Sequence, residues 1–188
     1  MLAKLPAFIG RTLSRVRPGL DRVLSAHHGL ATVPVAIALE SPAFAHGREL
    51  PVRFTADGEG TSPPLAWTGV PDGARSLILV VEDADSPTPS PLVHLIATGI
   101  PITHTSLAEG ELVAPHDGGP VLGKTSFLRA GWLPPDPPPG HGVHRYCFQL
   151  FALDYGPQFE GHPGRGSVIK ALEGHVLARG QLIGTYRR

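Results

Sequence analysis

The chain has 188 residues and zero formal net charge, with 41% hydrophobic and 17% charged residues. That suits one domain with a sizeable core and gives no general electrostatic pull toward nucleic acid. Its 23 glycines and 21 prolines predict a loop-rich β protein; the single cysteine, Cys147, excludes an internal disulfide and a cysteine-built zinc site.

Leu5, Ile9, Leu13, Val16, Leu20 and Leu24 recur at helical spacing, which predicts a basic amphipathic helix over 6–27, broken or kinked at Pro18. Residues 1–30 hold five basic side chains against Asp21 alone, +5 − 1 = +4, and leave −4 for the remainder. Such a helix packs on its own domain, in a homodimer or on an anionic lipid surface. Arg11, Arg15 and Arg17 interrupt the apolar run that an export signal needs, and no run approaches a membrane span of roughly 18 residues, so a cytoplasmic location is expected. The reading divides the chain into a helical extension, 1–34, and one domain, 35–188.

From Val35 onward the pattern is short and punctuated by turns. VPVAIAL (33–39) and LPVRFTA (50–56) read as strands, and Asp57–Gly60 as a turn. Trp67 reads as core. SLILVVED (76–83) is a continuous apolar run, expected as a strand buried on both faces. LVHLIATGIP (92–101) and GVHRYCFQLFALD (142–154) are further strands. Between them, 103–142 is rich in Gly and Pro and lacks periodicity. SVIKALEGHVLARG (167–180) reads as a helix stopped at Gly180, and QLIGTYRR as a closing strand.

Polar groups collect where these strands leave the core. Alternation puts Asp83 and Asp85 on one side of their strand, and His144, Tyr146, Phe148 and Leu150 on one face of theirs. Phe148 and Leu150 mark that face as inward, so His144 and Tyr146 form its polar mouth. His94 adds a third strand's contribution. Such a set can hold a divalent metal, perform acid–base chemistry, or bind a small anion through imidazole and phenol donors. No position reads as an activated nucleophile: Ser86 lacks an elbow motif, and Cys147 points away from the His144 face.

The order SPPLAW, DADSP, a strand histidine, a Gly/Pro-rich loop, GVHRY and ALEGHVLARGQLIGTY resembles the phosphatidylethanolamine-binding protein family, in its bacterial Raf-kinase-inhibitor-like branch, over about residues 36–188. The resemblance implies a mainly β, sandwich-like fold with a small anion pocket that takes phosphate-type or phospholipid head groups, a binding or inhibitory role and no cofactor. By motif, Asp83 and Asp85 match the family's paired aspartates, His94 its strand histidine, and His144 and Tyr146 its H-R-Y pair, with Arg145 facing outward. Ala84, Leu95, Thr125, Leu128 and Pro134 depart from the family pattern, and Pro134 offers no backbone N–H to an anion.

The aspartates are therefore expected to organise the pocket. An aspartate accepts an imidazole N–H and turns the other ring nitrogen toward the ligand. Two alternatives stand beside this reading: a module that recognises a kinase or protease, and a metal-dependent hydrolase built on the Asp/His set.

Overall fold

The computed structural model describes residues 6–188. Leu5 of the predicted helical stripe lies outside that range. Helix α1 covers only Ala7–Leu13, with Pro6 at its N-cap. The expected helix over 6–27 does not form. The Thr12 and Ser14 hydroxyls fold back onto the Phe8 and Arg11 carbonyls, and Pro18 precedes Gly19 at φ 91°. Two short 3-10 turns follow, Leu20–Arg22 and Leu24–Ala26. The first amides of the second turn find tertiary partners: Leu24 N–H donates to Glu82 Oε2 (2.6 Å) and Ser25 N–H to Gln149 Oε1 (2.6 Å).

Strand β1 (Ala38–Glu40) falls within and just beyond the first predicted strand. The next prediction fails. Strand β2 is Arg48–Glu49, and Val52–Phe54 turns as a 3-10 helix after Pro51, burying Phe54. Strands β3 (Leu65–Thr68), β4 (Ser76–Asp83) and β5 (Leu92–Ile100) follow, then two-residue strands β6 (Ser106–Leu107) and β7 (Val121–Leu122) in the irregular 103–142 stretch, and β8 (His144–Leu153). Helix α2 is Arg165–Leu172, shorter than predicted. Gly174 at φ 77° turns the chain, and β9 (Val176–Tyr186) runs straight through Gly180. A Cβ at Gly180 would stand 2.6 Å from the Ile37 carbonyl oxygen, so glycine serves a close approach there and not a helix stop.

The strands form a three-stranded sheet, β1-β3-β6, and a six-stranded sheet, β2-β9-β8-β4-β5-β7. The fold is mainly β. Leu77, Leu79, Val81, Phe148 and Leu150 on the inner face pack with Leu39, Leu65 and Trp67. On the outer face Ile78, Val80 and Phe151 meet Leu24, Leu30, Val168 and Leu172, from the N-terminal segment and α2. β4 is thus covered on both sides, and all eight of its residues are buried, as its unbroken apolar run predicts. Among the described residues no helix is long and apolar enough to cross a membrane.

Candidate functional site

β4, β5 and β8 are neighbours in the large sheet, and their ends meet at a cavity of about 600 Å³. Its polar lining includes Asp83, Ser86, His94, Arg129, Asp136 and His144; Leu92, Phe127, Leu133 and several prolines supply an apolar wall. Pro134 lines the cavity without closing it.

Asp83 is paired across the ladder with Tyr146 and organises its surroundings with both oxygens. Oδ1 accepts the Asp85 N–H (2.8 Å) and Oδ2 faces His144 Nδ1 (2.7 Å). The first bond is an Asx turn, and it corrects the expectation that Asp83 and Asp85 share a side. The strand ends at Asp83, alternation ends with it, and Asp85 turns to Arg145 and Arg17 instead of the cavity.

The expectation for His144 is also corrected. Its second nitrogen does not face the cavity: Nε2 lies 2.7 Å from His141 Nδ1, and His141 Nε2 lies 2.9 Å from the Leu13 carbonyl. Both rings are buried.

His94 owes its position to a break in register. Val81 pairs with Leu95 and Glu82 with Val93, which leaves His94 as the extra residue of a β-bulge. Its Nδ1–H donates to the Leu133 carbonyl (2.6 Å), so Nε2 is the nitrogen available to the cavity. Burial holds the ring's pKa below its usual value, against the opposing charge of Asp83.

Tyr146 is fully buried, edge-on to His94 (5.1 Å between centroids) and stacked on His144 (6.4 Å). Its hydroxyl has no hydrogen-bond partner among the described residues. Burial pushes the phenol well above its ordinary pKa, so it remains a donor. The two cavity carboxylates are both engaged, Asp83 by His144 and Asp136 by Arg188. Arg129, exposed at the rim, forms no ion pair among the described residues. No group of three or more metal-ligating side chains gathers among the described residues.

Sequence reasoning passed over Arg17, Arg129, Asp136 and His141. Of these, His141 was accessible: GHGVH spaces two histidines i, i+3 ahead of a strand. Arg17 was hidden because its role depends on where the N-terminal segment docks.

The molecule is thus a two-sheet β domain with a cavity at one end of its central strands. The comparisons give the family. The sequence model of the phosphatidylethanolamine-binding protein family matches residues 40–187. A UPF0098 protein of Methanothermobacter thermautotrophicus is 41% identical over 154 residues, covering 80% of this chain and 98% of that protein. The crystal structure of a putative phosphatidylethanolamine-binding protein homologue from Chlamydia trachomatis superposes with TM-score 0.74 at 35% identity, over 81% of this chain and 98% of that one. Escherichia coli YbcL, described as a member of the mammalian family, gives TM-score 0.76 at 27% identity, over 82% and 99%. The chain belongs to the phosphatidylethanolamine-binding protein family.

Proposed function

We propose that the protein is a binding module for a small anion or a phosphorylated head group, acting through occupancy of this cavity and not through turnover. The observation that carries the reading is the cavity lining, in which His94 and Arg129 face the space while both carboxylates are already paired. The Tyr146 hydroxyl, a buried donor without a partner among the described residues, lies behind that lining beside His94 and His144. An unpaired buried hydroxyl is costly, and a small shift of the His94 and His144 rings that admits an anion's oxygen would satisfy it. His94, once protonated at Nε2, and Arg129 supply charge, and the paired state of Asp83 and Asp136 limits repulsion. The apolar wall of Leu92, Leu133 and Phe127 favours a ligand whose charged end carries an organic body. Asp85 supports the site from behind, through Arg145.

Titration with inorganic phosphate and phosphoethanolamine by NMR or calorimetry, beside His144→Ala and Tyr146→Phe, tests the reading. Saturable binding weakened in both variants supports it, and absence of binding to either ligand refutes it. A protein partner such as a kinase or protease is the second reading. It is favoured by Phe127 and Leu128, 51% and 79% exposed beside the cavity, with Leu128 held at φ 61°.

A further inference from the structure

Three contacts run in series from β4 to the N-terminal segment: Asp83 Oδ2 to His144 Nδ1 (2.7 Å), His144 Nε2 to His141 Nδ1 (2.7 Å), and His141 Nε2 to the Leu13 carbonyl (2.9 Å). The two ends, a carboxylate and a carbonyl, only accept. Each link needs one hydrogen between its heavy atoms, yet two neutral imidazoles carry one N–H each. The complete series therefore holds three protons, whether the third sits on His144, His141 or Asp83. With two, one link sets a lone pair against a lone pair.

We propose that His141 is a positioning residue through which the docked N-terminal segment sets the proton content of the cavity floor: the Leu13 carbonyl requires a third proton on the Asp83–His144–His141 series, and that proton cancels the Asp83 charge beneath the ligand. The segment is built to hold this contact. Gly10 packs so closely that a Cβ would collide with the Pro139 carbonyl. Arg17 donates to the carbonyls of Val143 (2.7 Å) and His141 and lies 3.2 Å from Asp85. The Gly19 N–H donates to the Ala84 carbonyl (2.8 Å). Residues 10–19 thus strap together the loop after β4 and the loop before β8.

The charged and titratable groups around His141 are His144 from β8, Asp83 from β4 and Arg17 from the strap, with Asp85 and Arg145 paired beyond Arg17. Burial, then His144, hold the ring below its usual pKa, while the Leu13 carbonyl acts in the opposite direction. The docked series binds one proton more than a series from which Leu13 has withdrawn. Docking is therefore favoured by falling pH and weakened as pH rises through the range in which the third proton leaves. In the docked state Asp83 and the two rings sum to zero charge; undocked, they sum to −1. An anion favours the docked state and, by reciprocity, tightens the strap. This last link rests on the anion reading; the docking itself does not.

The test is NMR on the full chain, following the ring nitrogens of His141 and His144 and the Gly19 amide from about pH 5 to 8.5. The rings should carry three N–H protons on the acid side, or two together with a protonated Asp83 carboxyl, and Gly19 should move with the same midpoint as His141. A Gly19 signal that stays fixed while His141 titrates overturns the proposal, as does a total of two protons at the acid end. His141→Asn keeps an acceptor near the Nδ1 position but cannot reach Leu13, and Gly10→Ala pushes the strap away while changing no cavity-lining residue. Each should free Gly19 from pH dependence, and a retained midpoint in either counts against the proposal. Inorganic phosphate should bind Gly10→Ala roughly five-fold or more weakly than the parent chain. Equal binding to both overturns the coupling between strap and cavity. Binding to neither removes the anion reading and leaves the strap to be decided by the ring and Gly19 signals alone.

Discussion

Asp85 accepts three hydrogen bonds from Arg145: from its backbone N–H (2.9 Å), from Nε (2.7 Å) and from Nη2 (2.8 Å). Burial alone would raise the carboxyl, but the hydrogen bonds and charge of Arg145, helped by Arg17, hold it below its usual 3.8. A carboxylate with a depressed folded value contributes stability that is present above the unfolded value and lost as pH falls through the folded one. Asp85→Asn should cost about 1–2 kcal/mol at neutral pH, a figure reduced because Arg145 is partly solvated. It should also flatten the loss of stability below about pH 4. Urea midpoints measured from acid to neutral pH check both; a variant with the parent's acid slope contradicts the assignment.

Glu82 lies in β4 next to Asp83, on the opposite face of the strand, and is fully buried. It joins three parts of the chain: the Leu24 N–H (2.6 Å), Gln149 Nε2 (2.9 Å) and Arg165 Nε (2.7 Å). Glu82→Gln puts an NH₂ where an oxygen is needed, against either Leu24 or Arg165. We expect a loss of about 2–3 kcal/mol and faster hydrogen exchange at the Leu24 amide. Unchanged exchange at Leu24 would mean that Glu82 does not anchor the segment.

Burial lowers the His94 pKa beneath the usual 6.5, against the opposing charge of Asp83, and so disfavours the charged ring at neutral pH. An anion beside Nε2 favours the charged ring, so binding takes up a proton. Affinity should rise as pH falls toward the free-state value and level off below it. Calorimetry in buffers of different ionisation enthalpy reads this uptake, which should shrink in His94→Gln. Uptake equal to the parent's would assign it to other groups.

Cys147 is buried against Val23 and Ala84, with its sulfur 2.6 Å from Gln181 Nε2. Burial raises its pKa to about 12. At about pH 8 a disulfide-exchange reagent should leave the native thiol unmodified and react promptly in denaturant. Rapid modification of the folded protein would show that the N-terminal segment covering this residue opens readily.

β4, β5 and β8 were legible because a buried strand demands apolar residues in runs or in strict alternation, and the same parity put His144, Tyr146 and Phe148 on one inward face. Parity failed where the backbone stopped being a regular strand, at Asp85, displaced by an Asx turn; His94 lies in its expected strand, but on a bulge that alternation alone does not reveal. The helical stripe at Leu20 and Leu24 was real as apolar spacing, yet Leu24 is buried against Ile78 and Val80 with its amide bonded to Glu82. Periodicity reports which side chains seek burial and does not say whether the backbone's donors are satisfied locally. The His141–His144 contact escaped because three residues of loop leave ring orientation to the surrounding fold.

Arg188 bonds at once to Asp57 (2.6 Å) and to Asp136 in the cavity wall, and Asp57 also accepts the Tyr186 hydroxyl (2.6 Å). One guanidinium at the end of β9 thereby fixes the spacing between the turn after Phe54 and the proline-rich loop. A purification tag fused after Arg188 would emerge beside the cavity, where its own charges compete for Asp57 and Asp136. Binding measured on tagged protein would then describe the tag as much as the site, whereas a tag placed in the solvent-exposed turn at Gly118 would leave the cavity wall as it is.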